Sequence, residues 1–231
     1  MKDFADFYDD ISGQKGAKLR ALSVLKYVRK YKLAPKNILE LGVGNGNVIK
    51  HMPKKVNLYG LDINKKYLKL AKTKAPTLKT VHSSMHNFKT KQEFDLIYCV
   101  FDSINFLQNF TRWKQTFKVV KNHLSEEGLF IFDMYTPKML EHQKNNPPSF
   151  YKEKFGYVID EGIIRGNKLT WIFRIFEKQK GNNYKLWTEK FEERIFTEKQ
   201  VEAELKEHFK ILKKETIEDG LKVIYVLKNG R

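Results

Sequence analysis

The segment Glu40-Leu41-Gly42-Val43-Gly44-Asn45-Gly46-Asn47 follows directly on the apolar run that starts at Asn37. Glycines at such a turn let the backbone bend sharply and approach a ligand more closely than any Cβ allows. The spacing is discriminating. A dinucleotide fingerprint needs its third glycine five positions after the first, where this chain has Asn47; here the third glycine comes four positions after the first. Asp62 closes the next apolar run, about 20 residues beyond the first glycine, where a carboxylate accepts hydrogen bonds from ribose hydroxyls. Asp62 alone reads equally well as the cap of the following helix. Paired with the glycines on consecutive strand ends, it points to a nucleotide cofactor other than NAD.

These residues need strands that end together. Asn37–Leu41, Val56–Leu61, Leu78–Val81, Phe94–Phe101 and Gly128–Tyr135 are short apolar runs, and Phe94–Phe101 is nearly continuous, as in a strand covered on both faces. Helical spacing marks residues 16–32, Asn64–Lys74 (ended by Pro76) and Thr111–His123. The glycine turn is expected to open a further helix. Five alternations predict an α/β fold with a doubly wound, Rossmann-like parallel sheet. Pro147-Pro148 breaks the rhythm. Period-two runs follow at Tyr157–Ile164, Leu169–Glu177 and Tyr184–Phe196, with turns at Gly166-Asn167 and Gly181-Asn182-Asn183. Residues 148–196 therefore read as an antiparallel hairpin lid inserted after the fifth strand. The core comprises 1–147 and 197–231, closed by a helix at Glu198–His208 and strands at Lys210–Ile217 and Lys222–Leu227. Asn146-Pro147-Pro148-Ser149-Phe150 reads as a linker.

The chain has 231 residues, 41% hydrophobic and 31% charged, enough apolar material for a sizeable core and too much for a disordered chain. The apolar run Leu96–Phe101 is far too short for a membrane span, and the acidic start is unlike a signal peptide. A single cysteine, Cys99, fits a reducing compartment and a core position, so the expected location is cytoplasmic. The formal net charge is +17, and Lys26–Lys91 holds sixteen basic residues against only Glu40 and Asp62. Such a balance favours anionic partners, RNA among them, although the positive charge is mostly Lys and bidentate phosphate readers lean on Arg. The six histidines show no metal-ligand spacing.

Taken together, Glu40-x-Gly42-x-Gly44-x-Gly46, Leu58-Tyr-Gly-Leu-Asp62, the segment from Phe94 through Asp102-Ser103-Ile104-Asn105, and Gly128-Leu-Phe-Ile-Phe-Asp133-Met resemble the ordered motifs of class I S-adenosylmethionine-dependent methyltransferases. The fourth-strand segment is similar to a subset acting mainly on small molecules. The resemblance covers residues 4–135 clearly and the remainder loosely. It implies S-adenosyl-L-methionine as cofactor, held by Tyr8, Arg20, Glu40, Gly42, Gly44, Gly46, Asp62, Ile63, Ser84, Met85 and Val100. Tyr8 and Arg20 belong to an N-terminal segment that in relatives folds over the cofactor's methionine end; Arg20 reads equally well as a solvated helix residue. Two positions depart from the pattern. Ser84-Met85 stands where the family usually has Asp and an apolar residue, and Phe191 stands where relatives often carry a His. No catalytic role therefore transfers, and the catalytic residue is unassigned.

The implied reaction is in-line methyl transfer to a small acceptor, with nitrogen favoured because a neutral amine needs no dedicated base. A hydroxyl acceptor needs one, with Asp102, His86 and Tyr135 as candidates. Trp171, Phe173, Phe176 and Trp187 either line the acceptor pocket or pack the lid. An RNA methyltransferase using the Lys26–Lys91 surface, and a cofactor-binding protein without catalysis, are the alternatives. Monomer and homodimer are both open.

Overall fold

The computed structural model describes residues 4–11 and 14–230. The five apolar runs become β1 (Asn37–Leu41), β2 (Asn57–Asp62), β3 (Lys79–His82), β4 (Phe94–Cys99) and β5 (Leu124–Tyr135). With β10 (Phe209–Ile217) and β11 (Lys222–Asn229) they form one seven-stranded sheet in the order β10-β11-β5-β4-β1-β2-β3. β1 to β5 run parallel, and β11 is antiparallel to both β5 and β10. The strand order reverses between β1 and β4, the switch point at which open α/β sheets leave a crevice beyond the strand ends.

Alternation within the strands sends side chains to two cores. Leu96, Tyr98, Ile131 and Ile224 face α2 (Gln14–Lys30) and α3 (Lys65–Lys74), where Ala21, Val24, Leu68 and Ala71 are buried. Ile97, Cys99, Phe132 and Tyr225 face α4 (Phe110–His123) and α6 (Glu198–Lys206), against Trp113, Phe117, Val201 and Leu205. Cys99 is a core residue, fully buried.

A second, four-stranded antiparallel sheet is ordered β6 (Ser149–Glu153), β7 (Gly156–Arg165), β8 (Lys168–Lys178), β9 (Tyr184–Arg194). It follows α5 (Pro137–Asn145). Gly166 and Gly181 take left-handed φ of 61° and 68° at the two expected turns. Phe4 and Phe7, flanking the start of α1 (Tyr8–Ile11), plug into its inner face beside Val158, Phe173, Ile175, Trp187 and Phe191. Among the described residues no helix is long and apolar enough to cross a membrane.

Two local expectations are corrected. The glycine turn does not open a helix: a single 3₁₀ turn, Ile49–His51, ends at Met52, whose ψ is 161°. Pro53 follows, and the residue before a proline is pushed to extended backbone. The linker is also shorter than expected. Ser149-Phe150 already belong to β6, an edge strand of exposed and half-buried residues with no alternation to betray it.

Candidate functional site

At the switch point, Gly42, Gly44 and Gly46 all have positive φ, 69°, 51° and 83°. Each answers a different demand. A Cβ on Gly46 would sit 2.8 Å from the Ala71 backbone, so this glycine lets α3 pack against the turn. A Cβ on Gly42 would sit 2.9 Å from Ser103 Cβ. At Gly44 nothing lies within 4 Å, so its missing side chain leaves open space. Gly46→Ala is therefore expected to cost about 2 kcal/mol through strain and overpacking, measured by urea unfolding; an unchanged midpoint and slope would show that α3 can shift at no cost.

Asp62 braces the turn from β2. Its Oδ2 accepts from Gly44 N at 2.9 Å and its Oδ1 from Asn64 N at 2.8 Å. Burial pushes its carboxyl up, while the N–H groups of Asn64, Gly44 and Ile63 pull it back. The cap of α3 is Asn64, whose side chain accepts from Lys66 N and Tyr67 N, which leaves Asp62 aimed at the turn. Glu40, 3% exposed, accepts from Tyr98 Oη at 2.9 Å; burial pushes its carboxyl well above the ordinary range. A cleft opens here, lined by Tyr8, Glu40, Gly42, Gly44, Asn45, Asn47, Val100, Phe101 and Ser103.

Asp9 of α1 ties the amino-terminal segment to this cleft. One carboxylate oxygen accepts from Asn45 Nδ2, Asn47 Nδ2 and Lys74 Nζ, each at 2.7 Å. Partial burial pushes Asp9 up, but the bonds from Lys74, Asn47 and Asn45 outweigh it and hold the carboxyl below its ordinary value.

Of the other expected site residues, Ile63, Ser84, Met85 and Arg20 are not among those lining the cleft. Ile63, next to Asp62 in the chain, is an apolar side chain 70% exposed. Met85 reaches the Gly42 side, its Cε 3.7 Å from where a Cβ would stand. Ser84 Oγ shares a 2.6 Å hydrogen bond with His86 Nδ1, while His82 Nε2 donates to Ile63 O at 2.9 Å. Burial and the Arg112 charge hold His86 below the ordinary imidazole value. Arg20 is not a solvated helix residue. Its Nη2 donates to Glu218 Oε1 at 2.6 Å, its Nε lies 3.4 Å from Asp133 Oδ2, and its guanidinium covers the Phe101 ring.

Residues 38–128 match the family described as "Methyltransferase domain". Over 99% of this chain and 98% of the other, at 25% identity and a TM-score of 0.85, the fold is that of a crystal structure of an S-adenosylmethionine-dependent methyltransferase from Clostridium acetobutylicum ATCC 824. The fold is the class I, Rossmann-like fold of S-adenosylmethionine-dependent methyltransferases. CalS10, an amino pentose methyltransferase from Micromonospora echinaspora, shares the fold at 15% identity, covering 93% of this chain and 92% of its own, with a TM-score of 0.76. A curated protein of Geobacillus sp. (strain WCH70), named as a methyltransferase candidate, is 26% identical over 147 residues. That match takes in 61% of this chain and 60% of the Geobacillus protein's length.

The chain also carries a buried charge cluster at the ends of β4 and β5. Phe101 and Asp102 adopt successive left-handed φ of 57° and 50°, a conformation costing roughly 1–2 kcal/mol per residue. Asp133, fully buried, holds the turn by accepting from Asp102 N at 2.6 Å and Phe101 N at 3.3 Å. Lys222 Nζ pairs with Asp102 Oδ1 at 2.6 Å and covers the Tyr135 ring. Glu193, 2% exposed, hydrogen-bonds Asp102 and accepts from Trp171 Nε1 at 3.1 Å. Asn105 bridges the sheets, donating to Arg194 O at 2.8 Å and accepting from Tyr135 N at 3.1 Å. Sequence reading passed over Asp133, Glu193 and Lys222 as site residues. The usable signal was a charge where the strand pattern calls for an apolar side chain. Of the three candidate bases, Asp102 is held by Lys222, and burial pushes the Tyr135 phenol well up, which disfavours its phenolate.

Proposed function

We propose that this chain transfers a methyl group from S-adenosylmethionine to a small, nitrogen-bearing acceptor. The observation that carries the reading is the cleft at Gly44, open where a Cβ would stand, with the Asp62 carboxylate at its edge. Its residues fit the cofactor. Asp62 accepts from backbone groups yet keeps lone pairs for two ribose hydroxyls, since an ionised carboxylate offers about four. Ile63 and Met85 supply apolar surface for a base, and Ser84 a neutral acceptor. Tyr8 and Phe101 wall the cleft and keep water out. When bound, the sulfonium supplies the activated methyl, and in-line attack needs orientation more than acid–base help.

The nitrogen acceptor is supported by two of the three candidate bases: Asp102 is ion-paired and Tyr135 is buried with its proton, so neither is poised to deprotonate a hydroxyl, while His86 Nδ1 is engaged with Ser84 Oγ. An amine that arrives neutral needs neither. The antiparallel sheet, whose Phe173 and Phe191 pack against Phe4, is the proposed lid over the acceptor, and an amino pentose methyltransferase uses the same fold. The basic stretch offers RNA less than its count suggests, because Lys26, Lys66 and Lys74 pair with Glu215, Asp6 and Asp9.

Radiolabelled methyl transfer against pools of small amines, and separately against total RNA, tests the acceptor. Label in an amine that survives moderate salt is expected; label at one defined nucleotide would replace this reading with the RNA one, and no label in either pool would favour a non-catalytic cofactor binder. In parallel, Asp62→Ala is expected to weaken cofactor affinity roughly 30-fold, about 2 kcal/mol for a lost buried acceptor. Calorimetry showing equal affinity would remove Asp62 from the site.

A further inference from the structure

The lid strand β9 reaches into the core at one charged point. Glu193 is 2% exposed and hydrogen-bonds Asp102, whose carboxylate also takes Lys222 Nζ at 2.6 Å. Two carboxyl groups in direct contact hold only if one keeps its proton. Glu193 Oε2 also accepts from Trp171 Nε1 on β8. The side chain is buried, so it does not present itself to an acceptor.

What the clamp holds is the turn Phe101–Ser103. That turn carries two consecutive left-handed residues, and the side chains on either side of Asp102 line the cleft. Ser103 Oγ donates to Val100 O at 2.8 Å, and its Cβ lies against Gly42. A bulky residue at positive φ persists only where its surroundings force it. Asp133 grips the turn's N–H groups from β5, Lys222 grips Asp102 from β11, and Glu193 grips Asp102 from the lid.

We propose that Glu193 is a positioning residue: through its bond to Asp102 the hairpin sheet holds the Phe101–Ser103 turn, and with it the Gly42 wall of the cofactor cleft. The inference rests on reading that cleft as the S-adenosylmethionine site. Binding at the cleft and seating of the lid are then coupled, since β9 supplies one of the three supports of the strained turn. Asp102, Lys222 and Tyr135 face Glu193 directly; Asp133, Arg20 and Glu218 stand one link behind.

The test compares Glu193→Gln, which keeps a donor for Asp102 and an acceptor for Trp171, with Glu193→Met, which keeps length and packing but neither bond. S-adenosylmethionine affinity by calorimetry is expected to fall tenfold or more in the Met variant and to stay within threefold of wild type in the Gln variant. Equal affinities in all three proteins, or a Gln variant as weak as Met, would overturn the proposal. A second arm needs no cofactor. Burial and the Asp102 charge hold the Glu193 carboxyl well above its ordinary range. The unfolded chain releases that proton above about pH 4.3. Wild-type stability from this group is therefore complete below that pH and declines as pH rises toward the folded-state value. The glutamine variant has no proton to release. Its melting temperature relative to wild type is expected to climb with pH from about 4.3 upward; a flat difference would rule out the proton-sharing clamp. Wild type failing to bind S-adenosylmethionine would sink the cofactor reading, while the pH arm still judges the clamp.

Discussion

Asp133→Ala is expected to destabilise the protein by about 3–5 kcal/mol, the range for removing one partner of a buried, hydrogen-bonded charge. Asp133 has no exposed surface, and burial pushes its carboxyl up against the pull of Arg20 and Lys222. Its loss strands the N–H groups of Phe101 and Asp102 at a turn already strained, and leaves Arg20 with Glu218 alone. Asp133→Asn separates the contributions: a carbonyl oxygen still serves Asp102 N, but the charge facing Arg20 is gone, so about half the loss is expected. Urea unfolding of the two variants beside wild type measures both. An alanine variant within about 1 kcal/mol of wild type would mean that the turn is held from β9 and β11 without β5.

The sequence carried the sheet because each central strand is buried on both faces, so Phe94–Phe101 and Gly128–Tyr135 read as apolar runs that nothing but a covered strand explains. It carried the glycine turn and its brace because these residues are local: Glu40 to Gly46 are one turn, and Asp62 is one strand away. Where the reading faltered, the deciding physics was elsewhere in the chain. Pro53 cut short the helix expected after Gly46 through its effect on Met52 alone. β6 is an edge strand whose partner, β7, supplies the pairing that its own residues do not announce. The buried charge cluster was harder to see for a different reason. Arg20, Asp102, Glu193 and Lys222 come from α2, the turn after β4, β9 and β11, and each looks like an ordinary surface residue until the fold brings its partner alongside; only Asp133, a charge inside an apolar run, carries a signal of its own. Arg20 in particular reads as a solvated helix position because the helix pattern is blind to Asp133.

Gly44→Asn is expected to abolish most S-adenosylmethionine binding, by roughly a hundredfold or more (about 2.7 kcal/mol), while leaving the fold nearly intact. The backbone there is left-handed, φ 51°, which asparagine tolerates better than other L residues. No heavy atom stands within 4 Å of the added Cβ, so the protein itself has nothing to push aside. What the side chain enters is the open space of the cleft that Gly44 lines with Tyr8 and Glu40. Gly46→Ala, two residues on, should show the reverse signature: there the obstacle is the Ala71 backbone, so stability falls. Opposite responses at neighbouring glycines of one turn would separate the glycine that serves packing from the one that serves the ligand. Calorimetry and thermal unfolding on both variants make the comparison. A Gly44→Asn protein that binds S-adenosylmethionine within fivefold of wild type would place the cofactor away from this turn.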